Sequence, residues 1–165
     1  MQFSLNRIII KGDSPILLLG LGGGSAVKII RSEFLKKNHI DIVDIDSVMI
    51  EIARKEFGLN DYSDLKVYCQ NASSFVEETN NKYGLVIIDL FIDKITPEYF
   101  YDSIFWTDVL MLTKKKCCII FNTLTANNFT DKINCINKML IDAKFEVYSY
   151  KEIELSNTVL IAKRR

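Results

Sequence analysis

The segment ILLLGLGGGSAV at residues 16–27 constrains the fold more than any other part of the chain. A short apolar run, Ile16 to Leu19, leads into the glycine-rich turn Gly20–Gly24, and a segment of helical character follows. Glycine permits positive φ angles and lets the backbone approach a ligand closely, while the start of a helix offers unpaired N–H groups. The segment therefore predicts a strand, a tight turn and a helix, which together begin a β-α-β unit.

An acidic side chain follows this turn at an informative distance. Asp44 lies in the segment DIVDID and comes roughly 20 residues after the turn, where a carboxylate can accept both hydroxyls of a ribose. We predict a nucleoside site formed by Gly20, Leu21, Gly22, Gly23 and Gly24 together with Asp44 and Ile45. A purely structural turn is the alternative, because the third glycine of the dinucleotide pattern GxGxxG is replaced by Ser25. Asp46 either caps the next helix or lines the pocket.

Short apolar runs alternate with longer segments of helical period, which predicts a parallel sheet with helices on both faces. The predicted strands are Ile16–Leu19, Ile40–Ile45, Leu65–Tyr68, Leu85–Ile88 and Cys117–Phe121. The predicted helices are Ser25–Lys36, Ser47–Phe57, Ser73–Thr79, Pro97–Leu112 and Asn128–Asp142.

The end of the chain breaks this alternation. Phe145–Glu152 and Thr158–Lys163 are rich in β-formers, and the polar link around Ser156 and Asn157 is too short for a helical crossover. We therefore predict a central, mostly parallel seven-stranded sheet that ends in a C-terminal antiparallel hairpin. Residues 1–165 are expected to form one domain, with 1–14 as a short extension whose apolar run, Ile8–Ile10, is either an added edge strand or a remnant of something longer.

Composition bounds the partners of the protein. Lysine plus arginine and aspartate plus glutamate both total 21, so the formal charge is zero. A chain without net charge has no overall electrostatic attraction to nucleic acid or to a membrane surface. We expect a small-molecule substrate instead. The basic runs Lys114–Lys116 and Lys163–Arg165 are predicted to be solvated charge at a helix end and at the chain end.

The cysteines and the histidine give no sign of a metal site. Cys69, Cys117, Cys118 and Cys135 form no CxxC pair, and we expect buried, free thiols. The single histidine, His39, is predicted to lie in a surface turn. Since the sequence shows neither a signal peptide nor a run of about 20 apolar residues, we expect a reduced, cytoplasmic protein.

Polar residues follow three further strands. Asn71 and Ala72 come after the third strand, where Asn71 either meets an adenine edge or caps a helix. Asp89 directly follows the apolar fourth strand and is the best candidate for chemistry, since a carboxylate there can accept a proton from an amine or hold a cation; a turn cap is the alternative. Asn122 is a second polar group at this edge. Aromatic walls are expected from a set of nearby residues: Phe91, Tyr99, Tyr101, Phe105 and Trp106.

From about Ile16 to Lys163 the chain resembles the spermidine synthase group of class I S-adenosylmethionine-dependent transferases. LLLGLGGGS resembles the glycine motif of that group, IVDID its strand ending in Glu-x-Asp, QNASSF its Gly-Asp-Ala segment, and YGLVIIDLF the strand that delivers its acid. The resemblance implies a Rossmann-like class I methyltransferase fold that binds S-adenosylmethionine or its decarboxylated form. It also implies that Asp44 binds the ribose, Asn71 the adenine and Gly20–Gly24 the methionine portion, and that Asp89 activates an amine.

The chain departs from this family in three places. Aminopropyltransferases carry an N-terminal β-rich lid, whereas only about fifteen residues precede the first core strand here. Leu90, Phe91 and Ile92 follow Asp89 where the family has a second acid, with Asp93 one place off, and Asn71 replaces the acid that meets adenine.

These departures order the candidate functions. A methyltransferase acting on a small molecule comes first, because methyl transfer asks for little beyond in-line alignment. An aminopropyltransferase using decarboxylated S-adenosylmethionine comes second, and a non-catalytic nucleoside-binding subunit third. A dehydrogenase is a distant fourth, since Ser25 breaks its fingerprint. A homodimer is also expected.

Overall fold

A computed structural model describes residues 1–10, 12–92, 95–124, 130–153 and 157–164. Its helices are α1 (Gln2–Leu5), α2 (Ser25–Lys28), α3 (Ser47–Glu56), α4 (Ala72–Glu78), α5 (Ser103–Met111) and α6 (Thr130–Asp142). Its strands are β1 (Ile16–Leu19), β2 (Ile40–Asp44), β3 (Leu65–Cys69), β4 (Tyr83–Ile88), β5 (Thr113–Leu124), β6 (Glu146–Ile153) and β7 (Asn157–Arg164).

The seven strands form one sheet in the order β3-β2-β1-β4-β5-β7-β6. The first five strands in the chain pair in parallel, and β7 pairs antiparallel with both β5 and β6. The predicted mostly parallel sheet with a C-terminal antiparallel hairpin is therefore confirmed. Because the chain leaves β1 toward β2 on one side and reaches β4 on the other, the crevice between β1 and β4 is a topological switch point, where open α/β sheets hold ligands.

Alternate side chains of each strand enter two apolar layers, as the two-residue period of a strand requires. In β1, Leu17 and Leu19 pack with α4, α5 and α6, whereas Ile16 and Leu18 pack with α2 and α3. Trp106 is fully buried in the first layer and its indole N–H donates to the carbonyl oxygen of Phe100 at 2.9 Å. Helices thus cover both faces of the sheet, and a ligand would have to bind at an edge, such as the one formed by the carboxyl ends of the strands.

Several predicted boundaries differ from the structure. The helix predicted from Ser25 continues after Lys28 only as a π-helical turn, Ile29–Glu33, and Leu35 has a φ of 51°, which ends it. The helix predicted over Pro97–Leu112 is interrupted at Asp102, whose extended backbone separates a 3₁₀ turn, Glu98–Tyr101, from α5.

The apolar run Ile8–Ile10 was interpreted in two ways, and the first of them, an added edge strand, is wrong. Within the described residues, Ile8 and Ile10 pair with no strand, and they are buried against the layer that contains Ile16 and Leu18. Local apolar character here reflects burial rather than sheet pairing.

The basic run near the middle of the chain does not lie where it was predicted. Lys114–Lys116 belong to the first half of β5 rather than to a helix end. The predicted start of the last helix, Asn128, and the hairpin residue Ser156 lie outside the described residues. No helix in the described part of the chain is long and apolar enough to cross a bilayer.

A buried carboxylate stabilises the opposite, amino-terminal edge of the sheet. Asp41 is buried on β2, and its Oδ2 accepts from the Tyr83 hydroxyl at 2.7 Å and from Asn81 Nδ2 at 3.4 Å, while Oδ1 lies 3.0 Å from His39 Nε2. Burial, and secondarily the contact with Asp41, raises the pKa of Tyr83 well above its usual value. His39 is partly exposed and directly precedes β2 in a segment that is neither helix nor turn, and it also contacts Asp64 at 3.3 Å.

We expect Tyr83→Phe to lower the free energy of unfolding by about 1–3 kcal/mol, because it removes a donor from a buried carboxylate. Urea unfolding followed by circular dichroism measures this. Tyr148→Phe is the matched control, since Tyr148 is exposed and donates only to the surface carboxylate of Glu146. Its cost should stay within about 0.5 kcal/mol. Equal losses in the two variants would contradict the assigned role of Tyr83.

The thiols are less uniformly buried than predicted. Cys117 is buried and Cys118 is partly buried, but Cys69 and Cys135 are exposed. Burial raises the pKa of the Cys117 thiol to about 12. Among the described residues no group of acidic, cysteine and histidine side chains is arranged to hold a metal ion.

These differences predict the pattern of alkylation. Iodoacetamide at mildly alkaline pH should modify Cys69 and Cys135 in the folded protein, whereas Cys117 should react only after unfolding, because the thiolate is the reactive form. Peptide mass spectrometry measures the labelling, and the urea-unfolded protein, in which all thiols are accessible, is the control. If Cys117 were labelled as fast as Cys69 in the native protein, the conclusion that Cys117 is buried would be contradicted.

Candidate functional site

A cavity of about 540 Å³ lies at the carboxyl edge of the sheet, across the ends of β1, β2, β3 and β4. A volume of this size is ordinary for a site that binds a small molecule or a cofactor. Most of the predicted site residues line it: Gly20, Gly22, Asp44, Ile45, Asn71, Ala72 and Asp89. Of the remaining predictions, Leu21, Gly23 and Gly24 belong to the same turn without lining the cavity.

The glycine-rich turn is held at the switch point by its backbone. Gly20, Gly22 and Gly24 have φ angles of 91°, 49° and 76°, which residues other than glycine rarely adopt. The N–H of Gly20 donates to the carbonyl oxygen of Val43 at 2.8 Å. A Cβ atom at Gly20 would overlap the carbonyl oxygen of Asp89. The close approach of β1 to the end of β4 therefore depends on glycine at this position.

Asp44 fastens the end of β2 to this turn. Its Oδ2 accepts from the N–H of Leu21 at 2.7 Å, and its Oδ1 accepts from the N–H of Asp46 at 2.9 Å. An ionised carboxylate has about four acceptor positions, so these two bonds leave capacity for ligand hydroxyls. Asp44 is half-buried beside the cavity, in the place predicted for a ribose ligand.

The two alternatives for Asp46 are both present in the structure. Its Oδ1 accepts from the N–H groups of Val48 and Met49 at 2.8 and 3.2 Å, which makes Asp46 the N-cap of α3. Asp46 also lines the cavity, as does the exposed side chain of Ile45. Asp46 therefore caps α3 and lines the cavity at the same time.

Asn71 likewise serves as a helix cap. Its Oδ1 accepts from the N–H of Ser73 at 2.8 Å, and this bond begins α4. Asn71 and the buried Ala72 also line the cavity next to Gln70, so capping leaves Asn71 at the cavity wall.

Asp89 leaves the end of β4 and is held from the neighbouring strand. Asn122, on β5, donates from Nδ2 to Asp89 Oδ1 at 2.8 Å. Asn157, on β7, donates from its own Nδ2 to Asn122 Oδ1 at 3.1 Å, which orients the Asn122 amide with its NH₂ toward Asp89. The sequence predicted Asn122 at this edge but gave no role to Asn157, because the pairing of β7 with β5 cannot be read from local pattern.

The aromatic residues predicted near the site divide into two groups. Phe91 and Tyr99 line the cavity. Tyr101, Phe105 and Trp106 are buried in the apolar layer beneath it, and the Tyr101 hydroxyl bonds to Thr123. Sequence reasoning missed other lining residues, among them Leu90, Ile92, Pro97 and Phe100, which together make the wall beyond Asp89 apolar.

The charged side chains that line the cavity, among the described residues, are all acidic. These side chains are Asp44, Asp46 and Asp89. A concave surface lined in this way attracts cations such as sulfonium and ammonium groups and repels phosphates. This arrangement disfavours the pyrophosphate of a dinucleotide.

Comparison with known proteins agrees with this geometry. Residues 9–150 match the spermine/spermidine synthase domain. The chain belongs to that family. A polyamine aminopropyltransferase of Vibrio vulnificus (strain CMCP6) is 25% identical over 151 residues, which cover 89% of this chain and 49% of that protein. The chain thus spans about half the length of this curated relative.

Solved structures share the fold. Human methyltransferase-like protein 13, in complex with SAH, superposes with a TM-score of 0.78 at 22% identity and covers 93% of this chain and 73% of its own. A probable spermidine synthase from Corynebacterium glutamicum superposes with a TM-score of 0.77 at 15% identity, over 91% of this chain and 56% of its own. The predicted Rossmann-like class I methyltransferase fold and the resemblance to spermidine synthases are confirmed.

Gly20→Ala should cost more stability than Gly22→Ala. Both substitutions impose a positive φ on alanine, at about 1–2 kcal/mol, but only the Cβ at position 20 meets Asp89, since the space around Gly22 is open. Urea unfolding of the two variants measures the difference. Equal losses would mean that the contact between β1 and β4 does not require glycine.

Proposed function

We propose that this protein transfers a group from the sulfonium centre of an S-adenosylmethionine-type donor to an amine, with decarboxylated S-adenosylmethionine as donor and aminopropyl as the group. One observation carries the proposal: a single acidic cavity joins the glycine-rich turn, Asp44 and Asn71 to Asp89. Membership of the spermine/spermidine synthase domain family and the aminopropyltransferase relatives support aminopropyl transfer over methyl transfer, which the sequence had placed first.

The residues present suit such a donor. Asp44 has acceptor capacity for the ribose hydroxyls beyond its two backbone bonds, and Asn71 offers an amide to the adenine edge. The turn Gly20–Gly24 would lie along the chain attached to sulfur. The acidic lining suits a cation, and the bound donor would supply a carbon activated by its bond to a positively charged sulfur.

Asp89 is the residue placed to act on the acceptor. A carboxylate can hold an ammonium group and take up the proton that the nitrogen must lose for attack. Asn122 fixes this carboxylate through Oδ1, and Asn157 fixes Asn122 in turn. The strands that carry all three are paired in one sheet, so the acid is held by a rigid scaffold.

Methyl transfer is the second candidate, and one feature of the cavity favours it. The wall after Asp89 is apolar at Leu90, Phe91 and Ile92, where the resembled family places a second acid. Methyl transfer needs mainly in-line alignment and makes no demand for a second acid.

Calorimetric titration tests the proposal. We expect the decarboxylated donor to bind more tightly than S-adenosylmethionine, and NAD not to bind, because the acidic lining repels its phosphates. Asp44→Ala should weaken donor binding about tenfold or more, since hydrogen bonds to a charged group are lost. Asp142→Ala is the matched control, because this exposed carboxylate lies on α6 outside the cavity lining.

Other outcomes discriminate among the candidates. A preference for S-adenosylmethionine over its decarboxylated form would move the assignment to methyl transfer. Binding of neither donor would remove both activities, and an Asp44→Ala variant that bound like the parent would refute the role of Asp44.

A further inference from the structure

The wall of the cavity beyond Asp89 differs chemically from the rest of the lining. Leu90 and Phe91 are half-buried, Ile92 is 59% exposed, and Pro97, Tyr99 and Phe100 continue the same wall. Apart from the Tyr99 hydroxyl, these side chains are hydrocarbon. In the part of the lining that the structure describes, an acceptor bound at Asp89 therefore meets one carboxylate and then an apolar surface.

Among the described lining residues, the other acids lie on the opposite side of the cavity. Asp44 holds the N–H groups of Leu21 and Asp46, and Asp46 caps α3. Asp44 ends β2 and Asp46 follows it, whereas Asp89 and the apolar wall follow β4, on the other side of β1. Of the lining residues that the structure describes, Asp89 is the carboxylate next to the wall that would receive the acceptor.

The backbone of Ile92, one of the wall residues, pairs with that of Ile95. Ile92 and Ile95 exchange two backbone hydrogen bonds, of 2.9 and 3.1 Å, and their side chains are 59% and 58% exposed. The backbone N–H and carbonyl groups of Ile92 therefore have partners, and its exposed side chain is what Ile92 offers to a ligand. Asp93 lies outside the described residues, and the experiment below tests its influence directly.

From this asymmetry we propose, on the basis of the proposed function, that the acceptor is a monoamine with an apolar body, such as an alkylamine or arylalkylamine. Its ammonium group binds Asp89, and its hydrocarbon portion lies on Leu90, Phe91 and Ile92. A diamine is a poorer acceptor, because its second ammonium group must leave water to lie on the same apolar wall.

The transfer step balances without any further reactant. The acceptor ammonium gives one proton to Asp89, and the nitrogen lone pair forms a bond to the donor carbon. The bond from that carbon to sulfur breaks, and its electron pair returns to sulfur to give a neutral thioether. The alkylated nitrogen is then the ammonium of the product, and Asp89 passes its proton to water.

Putrescine and pentylamine provide a matched test, because they have the same number of non-hydrogen atoms and differ in one terminal ammonium group. Product formation by the full-length protein, with the decarboxylated donor and in parallel with S-adenosylmethionine, is measured by mass spectrometry. We expect kcat/KM for pentylamine to exceed that for putrescine about tenfold or more. From butylamine to hexylamine it should rise about threefold to fourfold for each methylene group that is buried.

A variant of the wall gives an independent readout. Ile92→Asp places a second carboxylate at an exposed lining position and should shift the ratio of putrescine to pentylamine about tenfold or more toward putrescine. Ile104→Asp is the matched control, since Ile104 is 77% exposed on α5 and does not line the cavity. Its ratio should equal that of the parent. The parent series decides the question even if Ile92→Asp does not fold.

The outcomes separate this inference from the proposed function. Failure of both donors to bind by calorimetry would remove the proposed function. Donor binding with putrescine preferred over pentylamine would overturn the monoamine acceptor and leave the transferase in place, and it would point to Asp93 as a second acid. Donor binding with transfer to neither amine would also overturn the inference.

Discussion

The contact between the backbones of Gly20 and Asp89 is the constraint on which the site depends. It brings the turn after β1 against the end of β4, at the switch point where successive strands begin to be added on the other side of β1. A side chain at Gly20 would force these strand ends apart and separate the two halves of the cavity. Because β2 and β3 pair on one side of β1 and β5 pairs beyond β4, every candidate binding residue is placed relative to this one crossing.

The acids of the cavity combine a structural task with a place in the lining. Asp44 holds the N–H of Leu21, Asp46 caps α3, and Asp89 accepts from Asn122. Each of these acids therefore holds part of the scaffold and also presents carboxylate oxygens to the same concave space.

Much of this arrangement was predictable from local pattern. The strand–turn–helix at Ile16–Val27 and the acids at strand ends follow from residue type and spacing, and the hairpin follows from the short link before β7. Tertiary pairing decided the rest. Asn157 reaches Asn122 only because β7 lies beside β5, and Ile8 and Ile10 are buried without joining the sheet. The apolar wall of Leu90 and Ile92 was visible as a departure from the family pattern, but its place in the cavity required the fold.

The acidic cavity also limits how the proposed transfer could be catalysed. In the proposed transfer, positive charge leaves sulfur as the bond from sulfur to carbon breaks, so Asp44 and Asp46, on the donor side of the cavity, attract the bound donor at least as strongly as the transition state. Such attraction lowers KM without accelerating the chemical step. Acceleration must then come from holding the acceptor nitrogen in line, for which the fixed Asp89 and the apolar wall are suited. The same charges favour departure of the neutral thioether, because loss of the positive charge removes the attraction that held the donor.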